Sequence, residues 1–244
     1  MSGVIAIFRR ELAGYFVTPV AYVFLVIFVA LIGALTFYIG GFYDQRQADL
    51  GSFFSLHPWL YTFFIPALAM RLWAEERDTG TIELLLTLPI TTTQAVIGKF
   101  LAAWVFTLIA LALTAPMWWT VNYLGNPDNG VIVAAYIGSA LMAGGFLAIG
   151  SFVSALTRSQ VIAFIIGFLI CFMLLMAGYP MVLDLFTGWA PRAVVEGIES
   201  ISFLTRFESI SRGVIDLRDL IYFAGMMAFF LFANVTIIEM KKAE

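Results

Sequence analysis

Charge is the scarcest property of this chain. Asp, Glu, Lys and Arg make up 12% of its 244 residues, against about 25% in a typical soluble domain. A lone Cys171 rules out an intrachain disulfide and leaves no redox signal for a compartment. One histidine and one cysteine cannot build a usual zinc site, and H-E-x-x-H does not occur. A hydrolase dyad would have to use His57, which beside Pro58 and Trp59 reads as an interfacial anchor or helix cap. A Walker A loop is missing too. Gly98-Lys99 has Thr93 where the first glycine belongs and Phe100 where Ser or Thr belongs. No catalytic residue, metal ligand or cofactor-binding residue is therefore assigned. The small net charge of −3 carries no sign of a nucleic-acid partner. Repeats, low-complexity tracts and flexible linkers are absent as well.

What is present is apolar. Hydrophobic residues make up 62% of the chain, and mean hydropathy is +0.97. Residues 12–43, 50–70, 100–127, 129–157, 159–183 and 220–238 contain no Asp, Glu, Lys or Arg. A transmembrane helix needs roughly 20 mainly apolar residues, and hydrocarbon admits only helices or closed barrels. Runs this long and this apolar are helices. The expected fold is an all-α membrane protein with six transmembrane helices in one domain, residues 1–244, embedded in the lipid bilayer. The first run follows Arg9 and Arg10, as in a signal peptide. It is too long for an h-region and has no A-x-A-like site, so it reads as a retained span.

Between the spans the chain places its few charges unevenly. With both termini inside, inner segments hold Arg9, Arg10, Arg71, Arg77, Lys99, Arg158, Lys241 and Lys242, and outer segments hold Arg46, Arg192, Arg206, Arg212 and Arg218. This favours cytoplasmic termini in an inner-membrane protein. In residues 1–17, Ile5, Phe8, Leu12 and Tyr15 recur at helical spacing, which predicts an amphipathic interfacial helix carrying Arg9, Arg10 and Glu11. Spans are expected at about 19–41, 56–74, 95–123, 131–156, 159–181 and 218–239. Pro66 should kink the second. Thr91 and Gln94 match a capping box before the third. Ala140, Gly144 and Ala148 form a small-residue face on the fourth, suited to close contact within the chain or with a second subunit. In the outer segment 184–217, Val194, Ile198, Ile201 and Leu204 predict one short amphipathic helix, and Phe207, Ile210 and Val214 a second. Phe24, Phe28, Phe63, Phe64, Phe164 and Phe172 make the spans aromatic, as packing and lipid contact require.

The most specific segment is the loop 75–94. A charged helix end, Glu75-Glu76-Arg77-Asp78, runs into a Thr79-Gly80-Thr81 turn, and a short Leu-rich helix then stops at Pro89. That helix is too short to cross a bilayer, so its apolar face either packs on its own spans or seeks a partner.

The run E-R-D-T-G-T-I-E-L-L-L-T-L-P-I-T at 76–91, followed by Gly98-Lys99, resembles the first cytoplasmic loop of ABC-2-type ABC transporter permeases. F-R-R-E-L-x-x-Y-F-x-x-P at 8–19 resembles their N-terminal interfacial helix. F-E-S-I-S-R-G-V-I-D-L-R-D-L-I-Y-F at 207–223 resembles the approach to their sixth helix, particularly in the gliding-motility-type branch. The resemblance covers the chain in order. It implies a permease subunit, an exporter by family habit, that pairs with itself or a paralogue and docks two copies of a cytoplasmic ABC ATP-binding subunit, with ATP and Mg bound on that partner. It also leaves room for an accessory extracytoplasmic subunit. By the same resemblance, residues near 81–88 are the coupling helix. Glu75, Arg77, Thr79, Thr81, Glu83, Leu84 and Leu85 would be contacts, Gly80 and Pro89 would set its ends, and Phe8, Arg9, Arg10 and Glu11 would join the same surface.

Two other classes are open to the sequence. A secondary transporter usually carries acidic, basic or broken-helix features at midplane, and these spans carry only Pro66 and Pro116. An ATPase-coupled subunit that transmits force without moving solute would share every feature named above.

Overall fold

The computed structural model describes residues 3–87, 89–187 and 190–242, and the side chains of those residues apart from 84–86, 186, 187 and 242. The described residues form helices and no strand, in the order α1 (Gly3–Val17), α2 (Pro19–Tyr38), α3 (Gly51–Ala69), α4 (Arg71–Asp78), α5 (Thr81–Thr87), α6 (Thr92–Ala112), α7 (Ala115–Leu124), α8 (Asn129–Leu156), α9 (Gln160–Met176), α10 (Pro180–Thr187), α11 (Arg192–Ile201), α12 (Phe203–Ser211) and α13 (Leu217–Lys242).

Their ends follow from local chemistry. The capping box forms at α6, where Gln94 N–H donates to Thr91 Oγ1 at 3.2 Å and Thr91 N–H to Gln94 Oε1 at 3.3 Å. Asp128 accepts from Gly130 and Val131 at the start of α8. Ser159 accepts from Ile162 at the start of α9. Among the described residues, five stretches are long and apolar enough to cross a membrane: Pro19–Tyr38, Gly51–Asp78, Thr92–Leu124, Asn129–Leu156 and Leu217–Lys241. The expected fifth span, 159–181, contains the shorter apolar helix α9, 17 residues long. It stops early because Pro180 has no N–H to donate and disfavours helical backbone just before it.

Two other spans differ from expectation in their interior. The second begins at Gly51 rather than near 56, and its interruption lies at Met70 rather than at Pro66. The cause is Ser154 of α8, which inserts into the backbone ladder. Its Oγ accepts from the N–H groups of Trp73, at 3.1 Å, and Ala74, at 3.0 Å, and donates to the Met70 carbonyl at 2.8 Å. The third span breaks into α6 and α7. Pro116 cannot donate to the carbonyl of Ala112, and Thr114 turns its hydroxyl back to Leu111 at 2.6 Å.

Helix α8 is the axis of the bundle, packed against α3, α4, α6, α9, α12 and α13. Its small-residue face is used within the chain. Trp104 Nε1 donates to the Ala140 carbonyl at 2.9 Å, and a Cβ on Gly144 would lie 2.7 Å from Met227 Sδ. His57 is not the interfacial anchor expected. It is fully buried on α3, its Nδ1 is 2.7 Å from Ser139 Oγ, and its ring lies among Phe53, Phe54 and Tyr61. Nearer the end that carries α5, Ser151 accepts from Asn234 at 2.7 Å and from Trp73 Nε1 at 3.3 Å, joining α13, α8 and α4. Lys241 closes that end by donating to the Leu156 carbonyl at 2.6 Å. By contrast α2 and α13 are peripheral, with 28% and 17% of their apolar windows buried, against 72% for α8. Their outward faces suit lipid or another subunit.

At the opposite end, α10, α11 and α12 form a cap. The helix expected through Val194 and Leu204 is broken at Ser202, whose Oγ accepts from Leu204 and Thr205 and so starts α12. Val214 lies beyond α12, after Gly213. Arg206 pairs with the nearly buried Asp219 at 3.1 Å, tying the cap to α13.

Ser154→Ala should lower stability by about 1–3 kcal/mol, because it leaves the buried N–H groups of Trp73 and Ala74 unpaired. Unfolding in detergent would measure this, with the exposed Ser200→Ala expected within about 0.5 kcal/mol of wild type.

Candidate functional site

The segment that left the hydrocarbon with its charges intact is carried on α4. Glu75 is held by Arg71 one turn earlier in a two-pronged pair, Nε to Oε2 at 2.7 Å and Nη2 to Oε1 at 3.0 Å. Thr79 ends the helix by donating its hydroxyl to the Glu75 carbonyl at 2.8 Å and sharing a hydrogen bond with Thr81. Gly80 then takes φ +73°, a left-handed turn that a side chain would strain. Helix α5 starts at once. Thr81 and Glu83 are exposed, Ile82 is half-buried, and Pro89 is exposed beyond the helix. Leu84 and Leu85 lie on α5, and their side chains fall outside the described residues.

Beneath this turn lies a buried charge cluster that the sequence did not reveal. Lys99, on the second turn of α6, is 3% exposed. Its ammonium lies 2.8 Å from Glu76 of α4 and 3.3 Å from Glu11 of α1, and sits over the Trp73 ring at 5.3 Å. Arg10 completes the group from the solvent side, 2.5 Å from Glu11 and 3.6 Å from Glu76. Two cations thus balance two carboxylates. Burial by itself would raise the Glu11 carboxyl, but Lys99 and then Arg10 hold it below the ordinary carboxylate range. One Glu76 oxygen, Oε2, is buried without a partner.

Close approach of α1 to α6 makes this possible. A Cβ at Gly98 would lie 2.8 Å from the Ile7 Cβ, so only glycine admits Ile7 there. The packed face of α1 is centred on Ile7 and Glu11, and Ile5, expected on the apolar face, is 42% exposed. The reason is Glu11: paired with Lys99, a carboxylate occupies the buried side and rotates the helix away from the register that apolar spacing alone suggests. Tyr15 stacks on Phe106 at 4.8 Å and secures the next turn. Phe8 is half-buried, and Arg9 and Arg10 are exposed. A small cleft of about 110 Å³ opens beside the cluster between α1 and α4, lined by Glu11, Tyr15, Thr18, Arg71 and Glu75 among others.

The arrangement contains no nucleophile paired with a base. It is a junction of three helices: an exposed short helix, a glycine turn, and an ionic joint centred on a buried lysine. A family model described as ABC-2 family transporter protein matches residues 5–238. The chain belongs to that family. It is therefore a multi-pass membrane protein of the permease type, the membrane component of an ABC transporter. Among curated proteins none matches it.

Of the residues expected at the permease's coupling surface, the structure gathers Glu75, Thr79, Gly80, Thr81 and Glu83 along one continuous segment, with Glu11 and Arg10 packed behind it. Arg77 stands apart, half-buried on the far side of α4. Lys99 and Glu76 were missed as a pair. The available signal was a lysine almost two turns inside an otherwise uncharged helix, next to a glycine.

Lys99→Met should lower stability by about 3–5 kcal/mol, because it leaves two carboxylates buried against one partly exposed arginine. Adding Glu11→Gln and Glu76→Gln to that variant should recover most of the loss, read from unfolding of the detergent-solubilised protein.

Proposed function

We propose that this permease is driven by a separate cytoplasmic ATP-binding chain that docks on α5. The observation that carries the proposal is the joint itself: an exposed helix mounted by a glycine turn on α4, with α4 locked through Glu76 and Lys99 to α6 and α1. A push on α5 is delivered to a membrane helix rather than dissipated in a loop. Family membership supports the partner, since permeases of this kind typically pair with an ATP-binding subunit and a second membrane subunit.

In this reading α9 acts as the fifth of six spans despite its length, both termini are cytoplasmic, and the protein sits in the inner membrane. Thr79, Thr81, Glu83, Leu84 and Leu85 meet the ATPase, Gly80 and Pro89 set the ends of the contact helix, and Phe8 and Arg9 touch its margin. ATP and Mg bind on two copies of the partner, and the closing of those copies favours one arrangement of the spans over another. Two permease chains, identical or paralogous, enclose an export path, and the 207–223 segment favours the gliding-motility-type branch. The peripheral apolar faces of α2 and α13 are available to the second subunit, whereas the Ala140–Gly144–Ala148 face is already occupied.

Leu84→Asp combined with Leu85→Asp should release the ATPase, since each Leu stands to lose roughly 1.5–3 kcal/mol of apolar burial and 1.4 kcal/mol is already tenfold in affinity. Membrane expression should be unchanged. A well-expressed double variant that still co-purifies with its ATPase and stimulates hydrolysis would remove α5 from the coupling role.

Orientation is tested independently. Cysteines at Gly130 and Arg192 should label in intact cells, and cysteines at Thr87 and Ala243 only after permeabilisation. Cys171 is buried and gives a quiet background. Labelling at 87 in intact cells would reverse the topology.

A further inference from the structure

Among the described residues, two arginines at the end of the bundle that carries α5 have no counter-charge. Arg77 lies on the last turn of α4, and its Nε is buried without a hydrogen-bond partner. Arg158 is exposed in the short turn between α8 and α9. Contacts along the two helices bring them together. His57 meets Ser139, Ala69 faces Gly150, and Trp73 and Ala74 are clasped by Ser154, so the helices run in the same direction. Helix α4 packs against both α8 and α9, so Arg77, on its last turn, lies on the same edge of the bundle as Arg158, in the turn that joins those two helices. Among the described residues neither arginine is in an ion pair.

The local backbone does not supply the missing negative charge. The last carbonyls of α8 carry the negative end of its dipole, and Lys241 already occupies them, 2.6 Å from Leu156 O and 3.4 Å from Ala155 O. Among the described residues no carboxylate fills that role, which leaves the pair open to an anion from outside the chain.

The surroundings identify its chemistry. Arg158 sits where two apolar helices end, and beside it Leu156, Val161 and Ile162 are 42%, 65% and 49% exposed. A free anion or a protein carboxylate has no use for that apolar wall, whereas a lipid needs both parts. Guanidinium groups match phosphate oxygens in a planar, two-pronged geometry. We propose that Arg77 and Arg158 bind the phosphate of an anionic phospholipid, whose acyl chains lie along Leu156, Val161 and Ile162. This site does not depend on the coupling role of α5, and it assigns Arg77 to the membrane rather than to the ATPase.

The test is native mass spectrometry of the full-length protein in detergent, titrated with phosphatidylglycerol or phosphatidylcholine. Wild type should retain phosphatidylglycerol preferentially. In Arg77→Gln with Arg158→Gln that affinity should fall about tenfold, to the level of phosphatidylcholine, with phosphatidylcholine binding unchanged. Arg77→Lys with Arg158→Lys should keep only part of the preference, because the charge stays while the two-pronged geometry is lost, and millimolar inorganic phosphate should not displace the lipid. Should the double Gln variant fold poorly, Arg158→Gln alone, at an exposed position, should still lose part of the preference. Equal phosphatidylglycerol binding by wild type and Arg158→Gln would overturn the proposal, as would displacement by inorganic phosphate. So would loss of ATPase co-purification with lipid binding intact, which would make the anion a carboxylate of the partner.

Discussion

A lysine ammonium almost without solvent is the constraint around which one end of this molecule is organised. Lys99 must have carboxylates within reach, because an unpaired buried charge costs more than a small membrane domain can absorb. Glu11 and Glu76 supply them from two other helices, and that requirement sets the docking of α1, its rotation about its own axis, and the position of α4 under the glycine turn. A buried ion pair is poor evidence for net stability. Its value here is specificity: α1, α4 and α6 have one arrangement that neutralises all four charges. The same joint fixes the position of α4, and with it the charged segment that leads into the glycine turn and α5.

Elsewhere the bundle relies on a different kind of contact. Lipid is as apolar as a leucine side chain, so hydrophobic burial does little to select among helix pairings in a membrane, and small residues and interhelical hydrogen bonds do more. Helix α8 provides both. Its glycines admit Ala69, Phe203 and Met227 at close range, and its serines reach His57, Trp73 and Asn234. Ser154 goes further and replaces part of the ladder of the neighbouring helix. That leaves a backbone interruption directly between the span and the charged segment it supports, where one hydroxyl pairs with three backbone groups, the N–H of Trp73 and of Ala74 and the carbonyl of Met70. The clasp also brings the end of α4 to the turn between α8 and α9, so the packing of α3 on α8 and the cationic edge at the end of the bundle have a common origin.

How legible each feature was depended on how local its cause is. The capping box at Thr91 and Gln94, the turn at Gly80 and the apolar runs are written within a few residues of themselves, and each was readable directly. The end of α9 was misplaced because apolarity continues past Met176 while Pro180 already stops the helix. The register of α1 was misread because apolar periodicity assigns Glu11 to the wet side, and nothing near Glu11 announces a lysine 88 positions away. Ser154 looks like one more small residue in a small-residue helix. His57 looks like a boundary residue until Ser139 is found beside it.

By itself the sequence determined that the chain is helical and built to cross a membrane, where its charged loops lie, and to which family it is similar. Those properties rest on the absence of charge over long runs and on short motifs, and both survive without knowledge of what touches what. Tertiary structure alone decided which charges are buried and balanced, which helix is interrupted and by what, and which arginines are left without a partner. Each of these is a relation between residues far apart in the chain, and a linear pattern carries no record of the distance between them in space.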